Sequence, residues 1–538
     1  MKKIKTLLLL LGLTLQTLAQ TGEWTWMGGT QTTNYIGNYG TMGVSSPTNK
    51  PRGLYEATEW TDNQGNFWLY GGVSHTGTID DLWKYDVSIN QWTWIKGSGG
   101  LNDVRPIFGI MGIASPANTP GERAESESWT DNQGNLWLFG GTSYYQTGLL
   151  CDRNDLWKYN ISTNMWTWMK GDTIPSCGGY QGVYGTKGIE SSTNEPPPQE
   201  EMGLTWADNN DNLWLLDLRG CLWKYRIATN NWIWVNGNIS GAPVYGQKGI
   251  PSVNNTPGND FFAYTRWIDS NNNLWLYHAV SNHLKGIFKY EINSNMWTWV
   301  WGDTTNTVMN NAVYSDTTCD YTFNGQSDNV IPHSRVETRA CWIDACDNLW
   351  MMGGVNNYFD FNDLVYFDTN ILKWIWAAND TIQNYTSSFG TLGVSSPLNK
   401  PRSRCGALPF KDNSGNLWLY GGLNDNIHYI YGDLWKYTMD NGCPPCHNPT
   451  VGINSITNEA NGISIYPNPF SYHTYIKFNT EQKNTTVKIM NLLGKEIRTI
   501  NFTGTQLIIE KGEMGAGVYF VQITDQQKNI TNKKIIIQ

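Results

Sequence analysis

Residues that could bind or transform a ligand are sparse in this 538-residue chain and fall into only a few patterns. The clearest is Cys443-Pro-Pro-Cys446-His447, which fits the C-x-x-C-H spacing used to attach c-type haem. Two consecutive prolines disfavour the helix expected at such a site, and the surrounding segment is too short to enclose a macrocycle. The pattern therefore favours a disulfide or paired structural thiols within a linker, and no cofactor is predicted.

Carboxylates form the second pattern. Glu56, Glu125 and Glu337 occupy similar places near the start of short apolar segments that each contain a tryptophan. Two carboxylates facing one cleft are the arrangement that glycoside hydrolysis requires, so an enzyme is an alternative interpretation of the chain. The seven histidines follow no ligand spacing. The turn at 62–66 is typical of a hairpin and lacks the alternating oxygen ligands of a calcium loop. We predict no catalytic residues and no metal site.

Repeated strand motifs fill most of the chain and must position any functional residues. One motif, typified by Phe67-Trp-Leu-Tyr-Gly-Gly72, occurs at 67–72, 136–141, 213–216, 274–277, 349–354 and 417–422. A second motif, typified by Asp81-Leu-Trp-Lys-Tyr85, follows at 81–85, 155–159, 221–225, 286–290, 363–367 and 433–437. An aromatic apolar stretch precedes each pair, and a Trp-x-Trp strand follows five of them. Four short strands per unit form a propeller blade, so we predict an all-β, six-bladed β-propeller.

The sixth unit has no Trp-x-Trp strand after Tyr437. A matching segment lies instead at residues 22–27, which closely resemble residues 90–95. We predict that this N-terminal strand completes the sixth blade and closes the propeller, because pairing both chain ends removes exposed sheet edges. The alternative is an unpaired strand.

These motifs, in this order, resemble the kelch repeat of the galactose-oxidase central-domain type. The resemblance covers roughly residues 22–440 and includes arginine before the first strand, at Arg52, Arg123, Arg335 and Arg402. The third and fourth units depart from it, because they lack the Gly-Gly pair and the aspartate of the third strand. No histidine matches a copper site of the galactose-oxidase kind, so the resemblance implies a fold and not an oxidase.

Long repeated segments connect each blade to the next, as in the similar sequences at 39–52 and 389–402. We expect them to form a crown around the mouth of the channel, although they could simply cover aromatic blade surfaces. Together with the loops between second and third strands they would form a binding surface, because exposed loop aromatics favour glycan or protein contact. The predicted ligand-binding residues are Tyr144, Tyr145, Tyr358, Phe359, Tyr429 and Tyr431.

The first 19 residues read as a signal peptide, with Lys2, Lys3 and Lys5 preceding an apolar run that ends in Thr17-x-Ala19. The apolar run is too short to span a bilayer, and no second run of that kind follows. The net charge of −9 and the absence of basic clusters after the leader exclude a nucleic-acid partner. Nine cysteines are an odd number, so at least one is free or pairs outside the chain.

From residue 463 tryptophan disappears, and alternating apolar residues predict a small β-sandwich. Tyr466-Pro-Asn-Pro469, residues 491–495, residues 517–520 and Lys533-Lys534 resemble the C-terminal sorting domain of type IX secretion. The resemblance implies contact with outer-membrane secretion machinery; an ordinary Ig-like accessory domain is the alternative.

We therefore predict a signal peptide at 1–19, a kelch-type propeller at 20–442, a linker at 443–462 and a sorting-domain-like sandwich at 463–538. The predicted function is a binding or adhesion scaffold for a glycan or protein, secreted or held at the outer cell surface. The alternative is an extracellular carbohydrate-active enzyme with its site at the channel mouth.

Overall fold

The computed structural model describes residues 22–439 and 463–537, apart from gaps at 101–103, 146–148, 179–181, 200–202, 259–264, 280–284, 304–331, 333–334, 357–358, 380–383, 467, 469, 471, 492–494, 513, 516 and 528–529. The chain divides into two compact units, Met1–His447 and Asn448–Gln538. The signal peptide, Tyr358 and the motif of Cys443, Cys446 and His447 lie outside the described residues.

Every regular element among the described residues is a β-strand. The first half of the first unit contains β1 (Glu23–Thr30), β2 (Thr58–Thr61), β3 (Phe67–Tyr70), β4 (Val73–Ser74), β5 (Gly77–Thr78), β6 (Leu82–Asp86), β7 (Gln91–Lys96), β8 (Glu127–Thr130), β9 (Leu136–Phe139), β10 (Thr142–Tyr145), β11 (Leu149–Asp152), β12 (Leu156–Asn160), β13 (Met165–Lys170), β14 (Leu204–Ala207), β15 (Asn212–Leu216), β16 (Leu222–Arg226) and β17 (Asn231–Asn236). The second half contains β18 (Arg266–Ile268), β19 (Asn273–Ala279), β20 (Lys285–Glu291), β21 (Met296–Asp303), β22 (Cys341–Ile343), β23 (Leu349–Met352), β24 (Val355–Asn356), β25 (Phe359–Asp360), β26 (Leu364–Asp368), β27 (Lys373–Ala378), β28 (Ser395–Ser396), β29 (Leu408–Lys411), β30 (Leu417–Tyr420), β31 (Leu423–Asn424), β32 (Tyr429–Ile430) and β33 (Gly432–Thr438).

Within the described part of the first unit, these strands build six antiparallel sheets of repeated design. Sheets 1 to 6 have the orders β2-β3-β6-β7, β8-β9-β12-β13, β14-β15-β16-β17, β18-β19-β20-β21, β22-β23-β26-β27 and β29-β30-β33-β1, with β28 added outside β1. The first strands contact one another in the circuit β2, β8, β14, β18, β22, β29 and back to β2. The arrangement is therefore all-β and propeller-like.

Tryptophans on the first strands join neighbouring sheets. The indole N–H of Trp60 donates to the carbonyl of Trp137 in the next sheet at 2.9 Å. The same bond from each first strand to the next sheet is made by Trp129, Trp206, Trp267 and Trp342. Sheet 6 has Phe410 at this position, and its ring stacks on Phe67 of sheet 1 at 4.7 Å between centroids. The tryptophan repeated in the first strands thus provides the hydrogen bond that joins one sheet to the next.

In the turns between first and second strands, the aspartate carboxylates accept hydrogen bonds from within the same hairpin. Asp62 accepts backbone N–H bonds from Gln64 and Asn66, and its other oxygen accepts the indole N–H of Trp68 at 2.8 Å. The same indole bond is made by the aspartates at 131, 208, 269, 344 and 412. These are hairpin turns, as predicted, and their carboxylates serve the fold.

Buried arginine–aspartate pairs link the approach to the first strand with the third strand. The guanidinium of Arg123 makes two bonds of 2.9 Å to Asp155, and both side chains are fully buried. Equivalent pairs are Arg335 with Asp363 and Arg404 with Asp433. Arg402, which the sequence places before the first strand of sheet 6, is not part of this pair; it donates to Ser387 and to the carbonyl of Gln31.

Sheet 1 lacks such a pair, because Leu54 occupies the place of Arg123. Asp81 instead accepts a 2.6 Å bond from the Tyr39 hydroxyl and a 2.9 Å bond from the Gly99 N–H. Burial is the largest influence on this carboxyl, and it raises the pKa of Asp81 from 3.8 to about 6.

The ionised form of Asp81 is therefore disfavoured in the folded state. A raised folded pKa contributes stability below the unfolded pKa that is lost as pH rises towards 6. The side chain introduced in Asp81→Asn cannot ionise, so this variant should not lose this stability as the pH rises. We expect the free energy of unfolding of Asp81→Asn, minus that of wild type, to be higher at pH 7 than at pH 4 by on the order of 2 kcal/mol. Urea titrations at the two pH values measure this difference.

Asp155→Asn is the control for that experiment. Burial opposes ionisation of Asp155, but Arg123 outweighs it and keeps its pKa below the usual value. Asp155→Asn should therefore destabilise the protein at pH 7. Equal effects of the two substitutions on stability at both pH values would contradict the assignment.

The long segments before sheets 1, 2, 3, 4 and 6, which the structure describes, do not form a crown around the channel, so that expectation was wrong for them. Each of these segments lies along the outermost strand of the sheet that it precedes: the Gly43 N–H donates to the carbonyl of Trp94, and Gly393 makes the same bond to Trp26. Equivalent bonds join Gly112, Gly188 and Gly249 to Trp168, Trp234 and Trp299. Tyr39 packs on Trp83 and Trp94 with centroids 5.0 and 5.1 Å apart. The segments thus cover sheet edges and aromatic surfaces.

The N-terminal strand β1 supplies the outer strand of sheet 6. It pairs antiparallel with β33, with Trp24 opposite Tyr437 and Trp26 opposite Trp435. The Asn399 amide donates to the carbonyl of Trp24 at 2.9 Å, as the Asn49 amide does to Trp92 in sheet 1 at 3.1 Å. The strand is therefore bonded on both of its edges.

The second unit contains β34 (Ile463–Tyr466), β35 (His473–Met490), β36 (Glu496–Glu510), β37 (Gly517–Thr524) and β38 (Ile530–Ile537). The order is β34-β35-β37-β38, and β36 pairs with β35. Register shifts divide β35 into two halves, of which the first also pairs with β34 and the second with β37. Both halves contribute to one core, which includes Ile476 and Val487.

Candidate functional site

Short hairpins between second and third strands surround the N-terminal ends of the first strands. They are β4–β5, β10–β11, β24–β25 and β31–β32. Each is tied by an isolated bridge to the segment that leads into a first strand, as in Tyr55 with Val73 and Cys405 with Leu423. The hairpins and the channel mouth between them are called the hairpin face below.

Three predicted ligand-binding residues are exposed on this face. Tyr144 is 44% exposed on β10–β11, Phe359 is 45% exposed on β24–β25, and Tyr429 is 44% exposed on β31–β32. Tyr145 belongs to β10 but its side chain is not described, and Tyr358 lies outside the described residues. The structure thus places exposed aromatic rings on three separate hairpins.

Tyr431 differs from the other predicted residues, because only 4% of it is exposed. The guanidinium groups of Arg402 and Arg404 lie 5.3 and 4.7 Å from its ring centre. Its carbonyl accepts the Leu54 N–H at 3.1 Å. The expectation that Tyr431 contributes an exposed ring was wrong, since the hairpin ends before this residue and the chain turns inward.

Cross-links hold the three aromatic hairpins in place. A disulfide joins Cys151 of β11 to Cys177. The Asp360 carboxylate of β24–β25 accepts the N–H of Asp425 in the neighbouring hairpin at 3.2 Å. The Ile430 N–H donates to the side chain of Asn34 at 3.0 Å. Rigid aromatic anchors of this kind lose little conformational entropy on binding.

A chain of backbone hydrogen bonds links the segments before the first strands of four neighbouring sheets on the hairpin face. Glu125 donates its N–H to the carbonyl of Glu56 at 2.9 Å, Glu56 donates to Gly406 at 3.0 Å, and Gly406 donates to Glu337 at 3.1 Å. The backbones of the three glutamates singled out in the sequence are therefore linked, through Gly406, at the mouth of the channel, although Glu56 is only 2% exposed. The sequence placed them correctly near the first strands.

These glutamates have left-handed backbones, with φ of 52° at Glu56, 62° at Glu125 and 53° at Glu337. Gly406 has the same conformation, with φ of 58°. This region disfavours residues that carry a Cβ, and such strain concentrates at binding and catalytic sites. The chain of hydrogen bonds at the mouth holds three glutamates in this backbone conformation, although glycine would relieve the strain.

Several ionisable groups near the mouth have raised pKa values. Burial is the main cause of a raised pKa at Asp360, to about 6. Burial followed by the charge of Glu337 raises the pKa of the Cys405 thiol, and burial followed by the charges of Glu56 and Glu125 raises that of Tyr55. Within the described residues, no group of three or more His, Cys, Asp and Glu side chains is arranged to hold a metal ion.

Deeper in the channel lies an ionic cluster that the sequence analysis missed. Arg339 Nη2 is 2.8 Å from Glu59 Oε2, and Arg266 Nη2 is 3.8 Å from Glu59 Oε1. Glu127 is nearby, and burial raises its pKa to about 8 despite the opposing charges of Arg266 and Arg339. The available signal for Glu59 and Arg266 was strand alternation, because each directly precedes a first-strand tryptophan and faces the channel.

The fold and hairpin face define an all-β, propeller-like unit joined to a second β unit, and comparisons with known proteins address each part. Residues 464–538 match the family described as "Secretion system C-terminal sorting domain". The predicted resemblance of the second unit to a sorting domain is confirmed. This domain indicates export to the cell surface or secretion, which confirms the predicted localisation.

Two further similarities are partial. The chain is 29% identical over 136 residues to an endo-acting ulvan lyase of Formosa agariphila, covering 24% of this chain and 25% of that protein. The chain thus spans about a quarter of the length of this relative. A solved structure described as "Structure of YjhT" has 15% identity and a TM-score of 0.42, covering 73% of this chain and 97% of that one. Among the described residues, no helix is long and apolar enough to span a membrane.

Proposed function

We propose that this chain is an exported six-bladed kelch-type propeller, closed by β1, which binds glycan chains through its hairpin face. The observation that carries the proposal is the set of exposed rings of Tyr144, Phe359 and Tyr429 on three cross-linked hairpins around one channel mouth. Aromatic faces are broad apolar surfaces that bind with little loss of side-chain freedom. The half-buried carboxylates of Glu125 and Glu337 supply hydrogen-bond acceptors for hydroxyl groups.

Two findings support a glycan over a protein ligand. The sorting domain accounts for a location outside the cell, where polysaccharides are accessible. The partial similarity to a protein named as an ulvan lyase favours a carbohydrate-directed role. Binding at the cell surface would make the protein an adhesion scaffold, with the second unit serving export and contacting the outer-membrane secretion machinery.

We expect the triple substitution Tyr144→Ala, Phe359→Ala and Tyr429→Ala to weaken polysaccharide binding at least tenfold. The free energy of unfolding should change by about 0.5 kcal/mol or less per site, because the rings are exposed. Affinity electrophoresis in gels containing ulvan and a panel of other extracellular polysaccharides measures the binding.

The control is a triple substitution of apolar residues that are at least as exposed, on the edge-covering segments: Met42→Ala, Ile113→Ala and Leu398→Ala. It should bind like wild type. If the two triple variants bind polysaccharide equally well, the hairpin face is not the binding surface. If no polysaccharide binds this chain but a protein does, the ligand is a protein.

The second candidate is a carbohydrate-active enzyme with its site at the same mouth. The half-buried Glu125 and Glu337, whose backbones are linked through Glu56 and Gly406, favour it, because acid and base carboxylates are the groups that such chemistry uses. Release of new chain ends from ulvan by wild type, with a loss of roughly 100-fold or more in Glu125→Gln, would establish this role. Binding without chain cleavage would leave the scaffold function.

A further inference from the structure

The hairpin β10–β11 is held in place differently from the other two hairpins that carry exposed rings. β24–β25 and β31–β32 share a hydrophobic cluster in which Val355, Leu423 and Ile430 pack with Cys405. Among the described residues, none of β10–β11 belongs to a hydrophobic cluster. A two-stranded hairpin without further support is only marginally stable in water. The position of Tyr144 therefore depends on other contacts.

Those contacts include a third strand segment and a disulfide. Asp152, the last residue of β11, exchanges two backbone hydrogen bonds of 3.0 and 2.8 Å with Ser176. Next to this bridge, Cys151 forms a disulfide with Cys177. The segment around Ser176 thus lies beside β11 as a third strand, and a covalent bond fixes it there.

The disulfide lies at the boundary between the anchored base and the exposed tip of the hairpin. At the base, the Arg153 Nε–H donates to Ser143 Oγ at 2.6 Å. Cys151 is only 1% exposed and lies opposite Ser143 in the hairpin. The next pair towards the tip is Tyr144 with Leu150, and both of these side chains are exposed. The ring of Tyr144 is therefore one residue pair beyond the disulfide.

We propose that the disulfide between Cys151 and Cys177 controls glycan binding at the hairpin face: the oxidised form holds Tyr144 in place for the ligand, and the reduced form releases it. This inference rests on the proposed function of the face. Disulfides form outside the reducing cytoplasm, and the sorting domain indicates that the chain is exported. The binding surface is thus complete only after export.

Reduction of this bond is a thiol–disulfide exchange. A dithiol such as dithiothreitol gives up two electrons and two protons, so that the S–S bond becomes the two thiols of Cys151 and Cys177 while the reagent closes to a cyclic disulfide. Cys177 is exposed, so a reductant can approach the bond from its side. Without the bond, hydrogen bonds must hold the third strand, and ordering the hairpin tip around a ligand costs more conformational entropy.

Affinity electrophoresis of the double variant Cys151→Ser and Cys177→Ser measures the effect, in gels containing ulvan or another polysaccharide of the panel that retains wild type. We expect this variant, and wild type treated with dithiothreitol, to bind about threefold or more weakly than oxidised wild type. Cys346 is also disulfide-bonded, so the reagent acts on more than one bond. Dithiothreitol should therefore have no further effect on the double variant.

Removal of the Tyr144 ring separates a specific effect on its hairpin from a general loss of structure. Tyr144→Ala should weaken binding about threefold in the oxidised protein and much less in the double variant, where the ring is already released. Phe359→Ala is the matched control, because its hairpin packs into the hydrophobic cluster around Val355. It should weaken binding equally in both backgrounds.

Failure of this inference differs from failure of the proposed function. If oxidised wild type binds no polysaccharide, the proposed function fails and this inference fails with it. If wild type binds but the double variant binds equally well, or if Tyr144→Ala has the same effect in both backgrounds, only the control by the disulfide is refuted.

Hydrogen–deuterium exchange without ligand gives an independent measurement. Residues 142–145 and 149–152 should exchange faster in the double variant than in oxidised wild type, because the third strand is no longer fixed. Residues 355–356 and 423–430 should be unchanged, since their hairpins share the hydrophobic cluster. Unchanged exchange at 149–152 would also overturn the inference.

Discussion

Substituting Arg123 by methionine is expected to lower the free energy of unfolding of the first unit by about 3–5 kcal/mol. The reason is that Asp155 would remain as an unpaired charge in a fully buried site, which is far more damaging than the loss of an exposed ion pair. Urea titration followed by tryptophan fluorescence reports on this unit alone, because every tryptophan precedes residue 463.

Two further variants separate the buried charge from loss of packing. The double variant Arg123→Met and Asp155→Asn should recover much of the loss, because the amide is uncharged and still accepts the indole N–H of Trp157. Arg52→Met should cost about 1 kcal/mol or less, because Arg52 contacts the hydroxyls of Tyr39 and Thr76 without a buried carboxylate partner. If Arg123→Met were as mild as Arg52→Met, the buried pair would not be the main link between the first and third strands.

The second large effect concerns β1. We expect Trp24→Ala to destabilise the first unit by about 3–5 kcal/mol, the usual range for deletion of a large buried aromatic side chain. Trp24 is 2% exposed and packs against Trp435 and Tyr437, with ring centres 6.4 and 5.2 Å apart. The same fluorescence-detected urea titration measures the loss.

Trp92→Ala is the matched control, since Trp92 occupies the equivalent place on β7 and is 4% exposed. If β1 completes sheet 6 as β7 completes sheet 1, the two substitutions should be equally damaging. A mild Trp24→Ala beside a severe Trp92→Ala would show that the N-terminal strand is not an integral part of the sheet.

The repeat motifs predicted the strands well because their signals are local. Aromatic alternation and glycine-rich turns specify the strand positions, and the match between residues 22–27 and 90–95 anticipated the pairing of β1 with β33. The turn at Asp62 was also predictable, since its bonds connect residues within six positions of one another.

Features that depend on contacts between distant residues could not be predicted from the repeat motifs. The linear repeat drew attention to Arg402, whereas Arg404 reaches Asp433, because the backbone path before sheet 6 sets which side chain points inward. The cluster of Glu59, Arg266 and Arg339 unites residues up to 280 positions apart, so it exists only after the first strands have met. Tyr429 and Tyr431 look alike in sequence, yet only Tyr429 is exposed.

The glutamates at the channel mouth could be predicted from the sequence only in part. Their place before the first strands was visible in the sequence, but their left-handed backbones and mutual hydrogen bonds depend on neighbouring sheets. The hairpin face therefore combines residues that sequence patterns could nominate with a geometry that only the assembled circuit provides.

Hydrogen–deuterium exchange with and without a bound oligosaccharide tests the central claim most directly, because it reports which backbone segments a ligand covers. We predict slower exchange in the strands of the three aromatic hairpins, at residues 142–145, 149–152, 355–356, 359–360 and 423–430, and no change in the edge-covering segments. Protection confined to the edge-covering segments at 39–49 and 389–399, or to the opposite mouth of the channel, would contradict binding at the hairpin face.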